Sequence, residues 1–226
     1  MSERGVRWWI DWILDLLYPP KCTFCHRLLE PDEREGRICR RCRAALEIQQ
    51  DPLRGEFFNR GVYCFPYRGY VRKSIHRFKF GGRKEYAAVY AGLLLERIRE
   101  DREICGADLI THVPTNRQNL RRRGYDHAAL LAGHLAGELG IPAVTCLRRT
   151  RKTKAMYGLR PHERRANILG AIEICCPAEQ IAGKTVILID DIFTTGATAG
   201  ECSRVLRMAG AGKVFVLTVA KTEKSY

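Results

Sequence analysis

Two adjacent carboxylates, Asp190 and Asp191, close an apolar run in the stretch VILIDDIFTTGAT, and Thr194, Thr195, Gly196, Ala197 and Thr198 follow them. Threonine hydroxyls and free backbone N–H groups at a helix start make a cup for one monophosphate. Gly196 lets the backbone approach the ligand closely. Carboxylates set just before such a cup would repel the phosphate itself. They suit vicinal hydroxyls, or a divalent cation bound to those hydroxyls. A ribose 5-phosphate has that layout, so the spacing points to a ribose-phosphate site. The stretch is neither G-x-x-x-x-G-K-[ST] nor G-x-G-x-x-G, which sets aside the P-loop and the dinucleotide fingerprint.

A second constellation lies near the N-terminus. Cys22 and Cys25 form one C-x-x-C pair, and Cys39 and Cys42 form another. Two such pairs bring four thiolates to one tetrahedral point, which suits structural Zn2+ and leaves no open position for a water nucleophile. His26 is the alternative ligand nearby and ranks below the thiolates. Disulfides are disfavoured, because the apolar N-terminus is interrupted by Asp11 and Asp15 and lacks a small-residue cleavage site. Cys64, Cys105, Cys146, Cys175, Cys176 and Cys202 show no ligand spacing and read mostly as small buried hydrophobes.

The elements that must position these groups follow from hydropathy. Over 226 residues, 46% hydrophobic and 28% charged, the composition fits one main core with a small appended module. Residues 1–47 read as an N-terminal helix plus a zinc ribbon, QQDPLRGEF as a linker, and 57–226 as the main domain. In the latter, ADLITHVP, PAVTCL, KTVILID and KVFVLTVA read as strands. EYAAVYAGLLLERIRED, DHAALLAGHLAGELG and GATAGECSRVLRMAGA read as helices. Strands and helices in alternation, with continuously apolar strands, predict an α/β fold with a parallel, doubly wound sheet. In such a sheet ligands bind beyond the carboxyl ends of the strands, where DIFTTGAT is expected to lie. No apolar run is long enough to span a membrane. Trp8, Trp12 and Leu16 recur at helical spacing and read as a helix that packs on its own domain or meets a partner or membrane surface.

The formal charge of +14 is concentrated. Between Arg117 and Arg165 twelve Lys/Arg stand against three acids, which suggests a polyanionic ligand, either phosphates or nucleic acid. RRTRKTKAMYGLRPHERRAN is a long polar connection without apolar periodicity and reads as a functional lid.

VILIDDIFTTGAT resembles the phosphoribosyl pyrophosphate (PRPP) signature of type I phosphoribosyltransferases. The wider chain is similar to the ComF/ComFC competence family, through YPPKCTFC with CRRC, YRGYVRKSIHRFKFGGRKE, HVPTNRQNLRRRGYDHAALLA and LRRTRKTKAMYGLRPHERRANILGAI. It departs from that family at Arg123-Gly124-Tyr125-Asp126-His127, where Arg-Gly-Phe-Asn-Gln is usual, and near Met156, where Gln is usual. The resemblance implies a type I phosphoribosyltransferase fold behind an N-terminal zinc ribbon, with Mg2+ bound together with PRPP. It implies PRPP contacts from Asp190, Asp191, Thr194, Thr195, Gly196, Ala197, Thr198, Val113, Pro114, Thr115 and Arg123. Catalytic roles would fall to Asp190, Asp191, Arg160 and Arg164, with Arg165 beside them in the lid and Arg117, Arg121 and Arg122 near the pyrophosphate. It further implies a cytoplasmic protein of DNA uptake, acting at the inner face of the membrane on single-stranded DNA beside a helicase-like partner. Transfer to an acceptor, DNA binding without turnover, and PRPP sensing all remain open at this point.

Overall fold

The computed structural model describes residues 19–151 and 161–223, without the side chains of 161, 162 and 164. The helix expected around Trp8, Trp12 and Leu16 and the expected phosphate contact at Arg160 lie outside the described residues.

The chain divides into two units, one ending at Glu47 and one beginning at Ile48. In the first, the turn-rich stretch between the cysteine pairs is organised by one buried acid. Glu33 accepts hydrogen bonds from the Glu30 and Arg40 N–H groups at 3.0 and 2.7 Å and pairs with Arg27 at 2.5 Å. Those bonds hold its carboxyl below the usual carboxylate range, the Arg40 N–H most of all and against the pull of burial. Helix α1 (Arg40–Ala45) starts on Cys39, whose Sγ accepts from the Cys42 N–H.

The second unit is built on a four-stranded parallel sheet in the order β1-β6-β5-β2: β1 (Arg60–Pro66), β6 (Lys213–Lys221), β5 (Thr185–Phe193) and β2 (Leu109–His112). Val186, Ile187, Leu188 and Ile189 have no exposed surface, because helices cover both sheet faces. Helices α3 (Tyr86–Ile98) and α6 (His127–Leu139) pack on one face, and α8 (Ala197–Met208) on the other. The α/β class expected from the sequence is the one observed. Asp126 caps α6 by accepting from the Ala128 and Ala129 N–H groups, and Gly140 ends it in the left-handed region at φ 68°.

Three features depart from the sequence reading. Strand β5 runs through both acids to Phe193, so the turn before α8 is confined to Thr194–Gly196. PAVTCL is no regular strand: only Ala143 bridges to Ile110, flanked by Pro142, which has no N–H to give a ladder. The chain then forms an antiparallel pair, β3 (Leu147–Arg149) with β4 (Ile172–Ile174), and α7 (Pro161–Ile168) lies between them in the stretch read as an irregular lid.

Helix α2 (Gly69–Phe80), to which the sequence reading assigns no element, presents Val71, Ile75 and Phe78 to the core at helical spacing. Short α4 (Arg102–Cys105) leads into β2, and α5 (Arg117–Arg123) follows it. The buried Phe78 ring is the hub of this side. It meets Tyr90 at 5.4 Å, Tyr125 at 6.1 Å and His127 at 6.0 Å, and the Tyr125 hydroxyl donates to the Phe78 carbonyl. Lys79, the next residue, is thereby fixed against the end of β5.

Candidate functional site

The four cysteines are the only such metal-ligand cluster among the described residues. Their sulfurs all lie within 4.8 Å of one another, and Cys25 and Cys39 Sγ are 3.6 Å apart. A tetrahedral Zn2+ with sulfur ligands at about 2.3 Å demands sulfur–sulfur edges of about 3.8 Å, so the donor set fits the ion. His26 is not part of it. The Cys39 N–H donates to Cys22 Sγ and the Cys42 N–H to Cys39 Sγ, both at 3.4 Å, orienting the sulfurs as outer hydrogen bonds do at metal centres. Burial opposes ionisation at Cys39, yet Arg27 and the Cys42 N–H prevail and bring its thiol down to about 6. Four close thiols in a zinc-ribbon frame support structural Zn2+.

At the carboxyl end of β5 the two acids separate. Successive residues of a strand face opposite sides of the sheet. Asp191 turns towards α2 and α6, where its Oδ2 meets Lys79 Nζ at 2.7 Å and His127 Nε2 at 2.5 Å. Asp190 follows Val186 and Leu188 to the α8 face, where its charge is felt by Cys202 and Arg149. Adjacent in sequence, the carboxylates do not stand side by side as a single grip.

Their electrostatics diverge for the same reason. Burial pushes the Asp190 carboxyl up to about 7, and the charge of Asp191 adds to that. Burial also pulls Asp191 upward, but Lys79 and His127 more than offset it and hold that carboxyl well below its ordinary value. The Arg123 guanidinium, which can only donate, points Nη1 at His127 Nδ1 at 3.0 Å. That leaves His127 Nε2 to carry the proton aimed at Asp191. Arg123 also lies 4.8 Å from the centre of the Phe80 ring, so its Nη1 and its flat face meet the scaffold.

A three-residue turn, Thr194–Gly196, joins β5 to α8. Gly196 stands before α8 at φ 78°, and a side chain there would come within 2.7 Å of the Phe193 ring. Thr194 is exposed, while Thr195, Ala197 and Thr198 are partly exposed at the start of the helix. The loop after β2 is brought alongside. The Val113 N–H donates to the Ile189 carbonyl at 2.9 Å, and Arg149 Nε donates to the Pro114 carbonyl at 2.8 Å. Val113–Thr115 thus leave β2 beside the end of its partner β5, which carries Asp190 and Asp191. Arg165 reaches Glu56 at 3.3 Å, and the Arg164 side chain lies outside the described residues. A cavity of about 520 Å3 beyond β2 is lined by Asn116, Arg117, Gln118, Arg121, Arg149 and Arg151. Burial holds the imidazole of His112, at the end of β2, below its ordinary value.

Lys79 and His127 are the residues that sequence reasoning missed or ranked low. The signal for His127 was the departure at residues 125–127. There the Tyr125 hydroxyl binds the Phe78 carbonyl, Asp126 caps α6, and His127 holds Asp191. Lys79 carried no signal beyond its place after a core aromatic.

A double zinc ribbon domain model matches residues 13–56. Competence protein F of Haemophilus influenzae is 30% identical over 178 residues, covering 77% of this chain and 76% of that protein. DNA utilization protein YhgH of Escherichia coli O157:H7 is 31% identical over 207 residues, covering 88% and 85%. Among solved structures, orotate phosphoribosyltransferase from Aeropyrum pernix is 22% identical and covers 75% of each chain at a TM-score of 0.39, too loose a likeness to carry weight. No helix among the described residues is long and apolar enough to cross a membrane.

Elemental analysis should find about one zinc per chain, lost together with folding of the ribbon when Cys39 is replaced by Ser; a Cys39→Ser protein that keeps its zinc would refute the site. Lys79→Met should cost about 3 kcal/mol in urea unfolding, since it strips a buried carboxylate of its main cation. Adding Asp191→Asn should restore much of that loss, and additive effects of the two changes would rule out a shared pair. The sign with pH is fixed by the depressed carboxyl of Asp191. Its contribution is full above the ordinary carboxylate range and fades as pH falls through that range and below, so the gap between wild type and Lys79→Met should close in acid.

Proposed function

The chain belongs to the family of competence protein F and the YhgH DNA utilization proteins, and from that premise we propose that it binds Mg·PRPP at the carboxyl end of β5 and transfers its phosphoribosyl group in the service of DNA utilization. The observation that carries this reading is the partly exposed Asp190 near the end of β5, just ahead of the Thr194–Gly196 turn and the start of α8. The 5-phosphate accepts hydrogen bonds from N–H groups at the start of α8, where the helix dipole favours negative charge. A ribose hydroxyl donates to Asp190. Asp191 serves by fixing the geometry of β5 from the opposite face, its charge already balanced by Lys79 and His127.

Magnesium fits this donor set, since it binds through one or two carboxylates and substrate phosphates and keeps several waters. When bound it would neutralise charge on the departing pyrophosphate. Breaking the C1–pyrophosphate bond leaves an oxocarbenium-like ribose and a highly charged leaving group. Arg117, Arg121, Arg149 and Arg151, beyond the Val113–Thr115 loop, are disposed to receive that charge. Arg160, Arg164 and Arg165 would close over it from the lid.

The same four arginines favour a second role. They line the cavity of about 520 Å3, and their clustered charge suits the phosphates of single-stranded DNA in a cytoplasmic protein of DNA uptake working beside a helicase-like partner at the membrane's inner face.

Calorimetry tests the first reading. Asp190→Asn should weaken Mg·PRPP binding at least about tenfold, the lower range for a hydrogen bond to a charged group. Unchanged affinity would overturn it. Because the ionised carboxylate is the form that accepts the hydroxyl, wild-type affinity should rise as pH is raised through about 7 and then level off, with proton release on binding. For DNA, log affinity for an oligonucleotide should fall linearly with log salt, and Arg117→Ala with Arg121→Ala should flatten the slope by about 0.7 per lost phosphate contact. A slope insensitive to both changes would remove the DNA role.

A further inference from the structure

Strand β2 ends in a histidine, and the pleat decides what its ring meets. Leu109 and Val113 join Val186 and Leu188 in the core under α8, so the alternate residues, Ile110 and His112, face the opposite side, where α6 packs. His112 stands in register with Ile189, two residues before Asp191 on the same face of β5. Only 9% of its surface is exposed. A second imidazole, that of His127, opens α6 on this face, and the Asp126 carboxylate caps the helix just ahead of it.

A ring in this place resists a second proton. Burial strips water from its charged form; Asp126 pulls the other way, and the nearby His127 adds to the burial. The first turn of α6 also presents the positive end of its dipole. Lys79, 2.7 Å from Asp191, and Arg123, 3.0 Å from His127, bring two more cations to the same strand ends. The acids there are Asp126 and Asp191, and Asp191 is already held by Lys79 and His127. A proton forced onto His112 therefore has one carboxylate to turn to. That carboxylate is Asp126, which accepts from the Ala128 and Ala129 N–H groups at 3.0 and 3.1 Å.

We propose that His112 is an acid-sensitive catch on the ligand end of β5: a second proton on its ring draws Asp126 off the start of α6, and His127, next to that cap, then loosens from Asp191. While the ring is neutral, Asp126 stays with the helix and His127 Nε2 stays 2.5 Å from Asp191 Oδ2. The sign follows from the depressed imidazole. The unfolded chain takes up a proton at His112 as pH falls through about 6.5, and the folded chain takes it up only lower, so stability is lost across that interval. The catch is independent of the PRPP reading. Where Mg·PRPP binds, the same loosening weakens it, because Asp190 and the Thr194–Gly196 turn belong to the strand end that Asp191 anchors.

The test compares the full chain with His112→Gln, which cannot take up the proton. Between about pH 7.5 and about pH 5.5, the unfolding constant from urea titration should rise at least about threefold more in wild type than in the variant. The His127 Nε2 proton, aimed at a carboxylate, should give a far-downfield NMR resonance that wild type loses in this interval and His112→Gln keeps. Equal pH dependence of the two proteins in either readout overturns the proposal. Should His112→Gln fail to fold, the ring resonances of His112 in wild type decide. A midpoint below that of an unstructured histidine supports the catch, and one at or above it overturns it. In calorimetry, protonation of Asp190 weakens Mg·PRPP binding alike in both proteins, so an excess loss in wild type is the share of His112, and no excess overturns its link to the ligand site. If wild type binds no Mg·PRPP at any pH, the PRPP reading falls, and the unfolding and NMR comparisons still judge the catch.

Discussion

A carboxylate with 4% of its surface exposed, near the end of a central strand in an apolar sheet, is tolerable only if its charge is met. Asp191 is met twice, by an ammonium from α2 and an imidazole from α6, and those bonds reach across from β5 to helices far apart in the chain. The Phe78 ring presses on His127 while the chain next to it carries Lys79, so one aromatic side chain sets both partners at once. Remove either contact and the end of β5 loses its reference point. The Thr194–Gly196 turn, the Val113–Thr115 loop and Asp190 are all laid out from that end.

What the neighbouring acid can do follows from what Asp191 already does. Desolvation, and then the negative charge next door, raise the Asp190 carboxyl above its ordinary range. Such a group accepts a hydroxyl hydrogen bond or joins a cation's oxygen shell with little rearrangement. One strand end thus carries two different acids, one committed to the scaffold and one poised for a ligand, and the pleat alone keeps them apart. The cysteine unit uses related physics at another scale, with Glu33 collecting N–H groups so that a short turn can present thiols together.

Legibility in the sequence followed the range of the interaction. The parallel sheet could be read because β5 and β6 are continuously apolar, and the cysteine pairs because their spacing is local. Helix ends at Asp126 and Gly140 were likewise written in neighbouring residues. The fate of Asp191 was not legible, because its partners come from residues 79 and 127 and only the fold brings them near. PAVTCL misled because β-branched residues beside Pro142 look like a strand whatever edge they occupy. The setting of Arg123 was hidden for a related reason: a basic cluster says nothing about which member will be turned inward, and this one stacks on Phe80 and meets His127.

Because the pleat sends residues 190 and 191 to opposite faces, the charge tied to the helices is kept apart from the one left partly open to solvent. A change at 191 breaks the tie to α2 and α6 in every copy of the protein, whereas a change at 190 leaves that tie in place. Two adjacent positions thus carry unequal freedom to vary, and the alternation of the strand is what divides it between them.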